Sequence, residues 1–197
     1  MAIVAAFLLG LVCLSVFKLL FPEALEDVSL PSWATILCGV GIAGMGFYDD
    51  IKGLSFKTKF LFQIAISTLF VATTGLLSEI SLPLGFGIVS IPEWIVLPVA
   101  LLWLVFVINA FNLLDGMDGL ASGVALIALA SLSACYLAMG VLTDLPVVVT
   151  LAGAVIGFLR YNFNPAKVFM GDTGSMFLGF MLGSYALTGA TRAPSLL

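Results

Sequence analysis

Seven apolar runs dominate the chain, at residues 2–20, 33–48, 60–77, 94–108, 120–139, 145–159 and 176–190, with polar turns between them. A helix needs about 20 residues, at ~1.5 Å rise each, to cross a ~30 Å hydrocarbon core. The first, third and fifth runs meet that length. The other four must continue into flanking residues, or cross where the core is thin or lined by protein. Backbone amides in lipid have no water to bond, so only helices and closed barrels span it. No run shows the period-two alternation of barrel strands. The expected fold class is therefore all-α: a polytopic transmembrane helix bundle of about seven spans, a single integral-membrane domain over residues 1–197. Run 2–20 has no Lys or Arg before it and no small-x-small cleavage site, so it reads as a retained span rather than a signal peptide.

Composition excludes the alternatives. The chain is 62% apolar and 9% charged, against roughly 25% charged in soluble domains. Seven Lys+Arg and eleven Asp+Glu cannot clothe a water-soluble globule. A net charge of −4 without a basic stripe gives no means of neutralising nucleic-acid phosphates. There is no His, which excludes His-ligated metals and a His general base within these residues. Cys13, Cys38 and Cys135 lie inside apolar runs with no metal-binding spacing, and read as small buried apolar residues.

The basic residues orient the bundle. Numbering the connections alternately places Lys52, Lys57, Lys59, Arg160 and Lys167 on one side, and Lys18 and Arg192 on the other. The five-to-two bias marks the first side as cytoplasmic. Segments 22–32, 78–93 and 140–144 then face outward. Residues 78–93 alternate in polarity around Leu84 and Gly87, and fit either a short hairpin or an irregular loop. The outer acids Glu23, Glu26, Asp27, Glu79, Glu93 and Asp144 read as solvated loop charges.

Three acidic clusters fall on the cytoplasmic side, near residues 49–59, 109–119 and 160–175. In the first, Asp49 and Asp50 are adjacent at the mouth of an apolar run. Two like charges about 4 Å apart at an effective dielectric near 20 repel by about 4 kcal/mol. A divalent cation or a shared proton would relieve this; an ordinary polar turn is the simpler alternative. In the second, Asn109, Asn112, Asp115 and Asp118 recur every three residues and share a face on a helical end. These are hard oxygen ligands suited to Mg²⁺ rather than zinc. The simpler reading is a helix start capped by Asp118. In the third, Gly171 and Gly174 flank Asp172 at a helix start, where free backbone N–H groups favour a phosphate. N-capping by Asp172 or Thr173 is the alternative. The sequence Gly39-Val40-Gly41-Ile42-Ala43-Gly44 matches a dinucleotide-binding pattern but lies within a span, so it reads as close helix packing. Together the three clusters suggest Mg²⁺-assisted phosphoryl transfer at the membrane surface.

The sequences Phe47-Tyr48-Asp49-Asp50, Asn109-Ala110-Phe111-Asn112-Leu113-Leu114-Asp115-Gly116-Met117-Asp118-Gly119-Leu120-Ala121 and Val168-Phe169-Met170-Gly171-Asp172-Thr173-Gly174-Ser175 resemble the polyprenyl-phosphate N-acetylhexosamine-1-phosphate transferase family. That group includes the phospho-MurNAc-pentapeptide translocases and the undecaprenyl-phosphate GlcNAc-1-phosphate transferases; the last two motifs look closer to the second branch. The resemblance implies a multi-pass enzyme of the bacterial cytoplasmic membrane with its active site facing the cytoplasm. It implies transfer of a sugar-1-phosphate, GlcNAc-1-phosphate as the first expectation, from a UDP-N-acetylhexosamine to undecaprenyl phosphate, releasing UMP. Mg²⁺, or Mn²⁺ in its place, is the implied cofactor, and a homodimer is a further expectation.

By the same resemblance Asp172 is the metal ligand, and Asp49 and Asp50 are a catalytic pair, joined by Asp115. Asn112 and Asp115 contact the nucleotide or diphosphate. Lys59 pairs with phosphate, Phe169 neighbours the uracil, and Asp118 belongs to the substrate-binding set. Such enzymes have ten or eleven helices. A leading helix with its basic loop, and a later His-bearing loop, have no counterpart here, so a truncated member with an incomplete site is expected. Two other classes fit parts of the pattern. An intramembrane aspartyl protease would use Tyr48-Asp49 and Gly171-Asp172, but leaves the Asn/Asp cluster unexplained. A transporter would place its carboxylates near the midplane rather than at one interface.

Overall fold

The computed structural model describes residues 1–26, 28, 30–75, 81–84, 87–90 and 92–192. The seven apolar runs form seven helices: α1 Ala2–Leu20, α2 Trp33–Lys52, α3 Phe56–Thr73, α4 Glu93–Leu114, α5 Leu120–Ala138, α6 Leu145–Asn162 and α7 Gly171–Arg192. Where the apolar runs were too short, the helices continue into polar residues. Helix α2 takes in Asp49 and Asp50, α4 takes in Asn109 and Asn112, and α7 carries Asp172 in its first turn. The candidate site residues therefore stand largely on terminal helical turns rather than in loops.

Among the described residues, five helices are long and apolar enough to cross a membrane: α1, α2, α4, α5 and α6. The chain is a polytopic membrane helix bundle. Helices α3 and α7 fall short on composition for different reasons. The first turn of α3 carries Lys57 and Lys59. Helix α7 is rich in small and hydroxyl residues because it is the centre of the bundle, packed against α2 and α4 and more lightly against α5 and α1. From Thr173 to Tyr185 every residue of α7 is buried. Helices in lipid gain little from burying apolar surface, so they associate through close packing and interhelical hydrogen bonds. Gly179 shows the closeness: a Cβ there would lie 2.7 Å from Ile108 Cα of α4. Trp103 of α4 donates its indole N–H to Gly183 O of α7 at 3.0 Å.

The Gly39–Gly44 pattern is helix packing at two of its three glycines. A Cβ on Gly39 would meet Met181 and Phe177 of α7, and one on Gly41 would meet Ile66 of α3. Nothing lies within 4 Å of the Gly44 position.

A short antiparallel hairpin, β1 Ser81–Leu84 and β2 Gly87–Ser90, resolves the segment that fitted either a hairpin or a loop, with Leu84 opposite Gly87. Its tip residues 85 and 86 lie outside the described set.

Two expectations need correction. Asp144 is not a solvated loop charge: as the residue that leads into α6 it is buried, with only 5% exposed. Glu23 and Glu26 are exposed as expected; Asp27, Glu79 and the side chain of Glu93 fall outside the described residues. Among the cysteines only Cys38 is buried. Cys13 and Cys135 lie on the outer surface of their helices, where an apolar thiol faces lipid at no cost.

Candidate active site

The site begins at the tight turn between α2 and α3. Gly53, at φ +70°, ends α2 by donating its N–H to Asp49 O, and Ser55 Oγ caps α3 by accepting from Thr58 N at 3.2 Å. The turn is braced by Asp49 itself, whose Oδ1 accepts the Leu54 N–H. This reversal sets Lys59, on the first turn of α3, against the last turn of α2. Lys59 Nζ makes an ion pair with Asp49 Oδ2 and a second with Asp172 Oδ2, the latter at 2.7 Å. Asn112 of α4 donates its Nδ2 to the other oxygen of Asp172 at 2.9 Å, and to Ser175 Oγ at 3.2 Å. Helices α2, α3 and α4 thus meet at one carboxylate on α7.

A divalent cation, a shared proton or an ordinary polar turn are the readings open for the adjacent carboxylates. In the structure the two side chains diverge, because successive helical residues point about 100° apart. Asp49 is 8% exposed and turns to Lys59. Asp50 turns to the start of α7 and accepts the backbone N–H groups of Asp172 and Thr173. This also corrects the expectation of free N–H groups there for a phosphate. Neither Asp172 nor Thr173 caps its own helix.

Asp115, at the end of α4, accepts the Gly171 N–H. Burial, and the nearby carboxylates of Asp172 and Asp50, push its pKa up to about 6, against the pull of that hydrogen bond. Asp118 has a separate task. Its Oδ2 accepts from Asn164 Nδ2 at 3.1 Å and Ala166 N at 3.0 Å, tying the α6–α7 loop to the α4–α5 turn. The α5 cap is Gly119, not Asp118. Phe169 is 76% exposed beside a small pocket of about 60 Å³ that it shares with Asp115, Gly116, Met117, Asp118 and Asn162. Asn162 is fixed by Ser122 Oγ, which donates to its Oδ1 at 2.8 Å.

Lys59, Asp49, Asp50, Asn112, Asp115 and Asp172 are therefore one connected group, and Asp118 and Phe169 line a pocket beside it. Sequence reasoning missed Gln63. It is 1% exposed and exchanges hydrogen bonds with Asn109, from Asn109 Nδ2 to its Oε1 at 2.6 Å and from its Nε2 to Asn109 Oδ1 at 3.4 Å. The signal was available: Gln63 is the only glutamine in the chain, one turn beyond Lys59 in an apolar run.

Among the described residues, no three His, Cys, Asp or Glu side chains converge as a cage for a metal. Two carboxylates flanking Gly171, those of Asp115 and Asp172, are instead crowded with like charge. That donor set fits Mg²⁺, which is commonly held by one or two carboxylates with substrate phosphates completing its shell.

Fold and site define a polytopic membrane protein with a charged centre where four helices meet. The chain belongs to glycosyl transferase family 4, whose model matches residues 32–190. It is 38% identical over 152 residues to a "Probable undecaprenyl-phosphate N-acetylglucosaminyl 1-phosphate transferase" of Bacillus subtilis (strain 168), covering 77% of this chain and 42% of that protein. It is also 38% identical over 168 residues to the decaprenyl-phosphate N-acetylglucosaminephosphotransferase of Mycolicibacterium smegmatis, covering 80% and 41%. Against the phospho-N-acetylmuramoyl-pentapeptide-transferase of Staphylococcus carnosus the identity is 35% over 194 residues, covering 92% and 59%. The chain thus spans about two-fifths to three-fifths of the length of these relatives.

Proposed function

We propose that the chain carries the phosphate-handling centre of an enzyme that transfers N-acetylhexosamine-1-phosphate, GlcNAc-1-phosphate first, from a UDP-sugar to polyprenyl phosphate. The observation that carries this reading is the placement of Lys59 against Asp49 and Asp172, beside a large apolar groove. The groove, about 930 Å³, runs between α3 and α4 and is lined by Phe56, Phe60, Leu102, Val105 and Phe106, with Asn109 as its polar member. An ammonium beside an apolar groove suits an anionic headgroup on a long hydrocarbon tail.

In the reaction an oxygen of the lipid phosphate forms a bond to the sugar-bearing phosphorus of the UDP-sugar. The bond from that phosphorus to the bridging oxygen breaks, and UMP leaves with the electron pair. A phosphate monoester has its second pKa near 6, so at pH 7 it is already mostly the dianion. Positioning then counts for more than a base. Lys59 offers positive charge to the incoming phosphate. Asn112 and Asp49 hold Lys59 and Asp172 in register. The pocket beside Phe169 and Asp118 supports a place for the nucleotide. Asp172 and Asp115 would hold Mg²⁺, which when bound supplies charge neutralisation between two anionic reactants. The five-to-two basic bias supports a cytoplasmic site.

The test is radiolabelled UDP-GlcNAc with undecaprenyl phosphate and Mg²⁺, following lipid-linked product and UMP. Asp172→Asn keeps the shape but removes the charge, and is expected to lower transfer by ~10³-fold. Glu23→Gln, on an exposed outer turn, is expected to leave it unchanged. Equal loss from both, or product formed after complete chelation of divalent cations, defeats the reading.

A further inference from the structure

We propose that Asp50 is a positioning residue that caps helix α7 from another helix, so that Asp49 and Asp50 have separate tasks rather than forming a catalytic pair. This rests on the transferase reading, in which α7 presents Asp172 to the reactants.

The observation is a set of three donors on one carboxylate. Asp172 N donates to Asp50 Oδ1 at 2.9 Å, Thr173 N to Oδ2 at 3.2 Å, and Thr173 Oγ1 to Oδ2 at 2.6 Å. The first N–H groups of a helix have no partner within it, and a carboxylate there gains both hydrogen bonds and the favourable end of the helix dipole. The residue preceding α7, Met170, has no oxygen to offer. The cap comes instead from 122 residues earlier in the chain. The Gly171 N–H is taken by Asp115. Two acids from two other elements thus hold the first turn of α7.

Two glycines make room for this contact. Gly46 lies one turn before Asp50 on α2, and a Cβ there would be 2.5 Å from Asp172 O. Gly171 has φ +67°, and a Cβ there would be 3.0 Å from an Asp50 oxygen. Because Asp50 caps the helix, the side chain of Asp172 is released from that task. Both its oxygens turn to Lys59 and Asn112.

The same contacts argue against Asp50 as a base. A carboxylate has about four lone-pair sites, and three of those on Asp50 are already taken by the first turn of α7. Asp49, paired with Lys59, remains beside the reacting groups.

The experiment measures hydrogen–deuterium exchange in residues 168–176 of the purified full chain, for wild type, Asp50→Asn and Asp50→Ala, with transfer measured in parallel. Asn keeps one of the two acceptor oxygens, whereas Ala keeps neither and forfeits about 1–2 kcal/mol of capping. Asp50→Ala is expected to speed exchange of this segment about 5- to 30-fold, and Asp50→Asn to fall between Asp50→Ala and wild type. Exchange in α1 is expected to be the same in all three. In the transfer assay, Asp50→Asn is expected to rescue part of the kcat that Asp50→Ala loses. Unchanged exchange in Asp50→Ala overturns the cap. A protected but inactive Asp50→Asn overturns the separation of tasks. A wild type with protected amides that does not bind undecaprenyl phosphate defeats the transferase reading and leaves the cap standing.

Discussion

Lys59 and Asp172 stand 113 residues apart in the chain, yet the lysine Nζ donates to Asp172 Oδ2 at 2.7 Å. The same ammonium pairs with Asp49, so one cation holds two carboxylates from two helices. Removing one partner of a partly buried ion pair leaves uncompensated charge in a poorly solvated place, at a cost of about 3–5 kcal/mol when burial is deep. A quarter of the Lys59 side chain is exposed, at 24%, which favours the low end. Lys59→Met is therefore expected to destabilise the detergent-solubilised protein by about 3 kcal/mol. Adding Asp49→Asn is expected to recover part of that loss, because it removes one of the stranded charges. Thermal unfolding of the single and double variants checks this. A double variant less stable than Lys59→Met would show that the Asp49 carboxylate contributes more through the Leu54 N–H than through the lysine.

The helices were legible because apolar run length is a local property, and the three acidic clusters converge because their helix ends share one side of the bundle. What the sequence did not show is which side chain meets which. Lys57 and Lys59 are equivalent in composition, but only Lys59 lies on the turn that faces α2; Lys57 is exposed. Asp49 and Asp50 are likewise indistinguishable until the helical rotation between them sends one to Lys59 and the other to α7. The motif Asp115-Gly116-Met117-Asp118 reads as one ligand set, but the backbone turn sends Asp118 to the 164–166 loop. Asp144 looked solvated because burial of a short turn depends on the helices around it. Each of these is a tertiary outcome that spacing along the chain does not encode.

Asp115 gives a pH dependence of definite sign. Its pKa in the folded protein is pushed up to about 6 from an ordinary 3.8, chiefly by burial. The folded state then binds more protons than the unfolded state between those two values, so stability falls as pH rises through that window. Asp115→Asn cannot ionise and keeps an oxygen for the Gly171 N–H. It is expected to melt with the wild type near pH 3.5 and to be more stable above pH 6.5, by about 1–2 kcal/mol after solvent screening. Melting curves across this range provide the check. A variant less stable than wild type at pH 7 would mean that the charged form is favoured in the fold.

Gly179 tests the packing that sets α7 against α4. An added Cβ would lie 2.7 Å from Ile108 Cα and 2.9 Å from Val107 O, and backbone cannot yield as a flexible side chain can. Gly179→Ala is expected to cost about 1–3 kcal/mol by forcing the two helices apart. Gly153→Ala has nothing within 4 Å and is the matched control, expected to be neutral or slightly stabilising. Equal melting of the two variants would show that the helices separate without penalty.

Gln63 and Asn109 join α3 to α4 directly beneath Lys59 and Asn112, the two residues that grip Asp172. Gln63 is buried, and Asn109 spends its Nδ2 both on Gln63 Oε1 at 2.6 Å and on Val105 O at 2.7 Å. An amide that loses its partner in such a place is left partly unsatisfied, costing about 1–3 kcal/mol. Replacing both amides by apolar groups of similar shape removes the unsatisfied atoms, and stability then returns towards wild type. Gln63→Leu alone is therefore expected to lower stability by about 1–3 kcal/mol, and Gln63→Leu with Asn109→Leu to recover much of it. Transfer should not follow stability in the double variant. The amide pair fixes the spacing of α3 and α4, and a Leu pair packs without directional bonds, so Lys59 and Asn112 would meet Asp172 in a broader range of geometries. The expected result is a double variant that melts close to wild type but keeps a reduced kcat. A double variant restored in both respects would show that the pair only fills space. One that recovers neither would show that the groove-facing Asn109 has a role beyond its bonds to Gln63 and Val105.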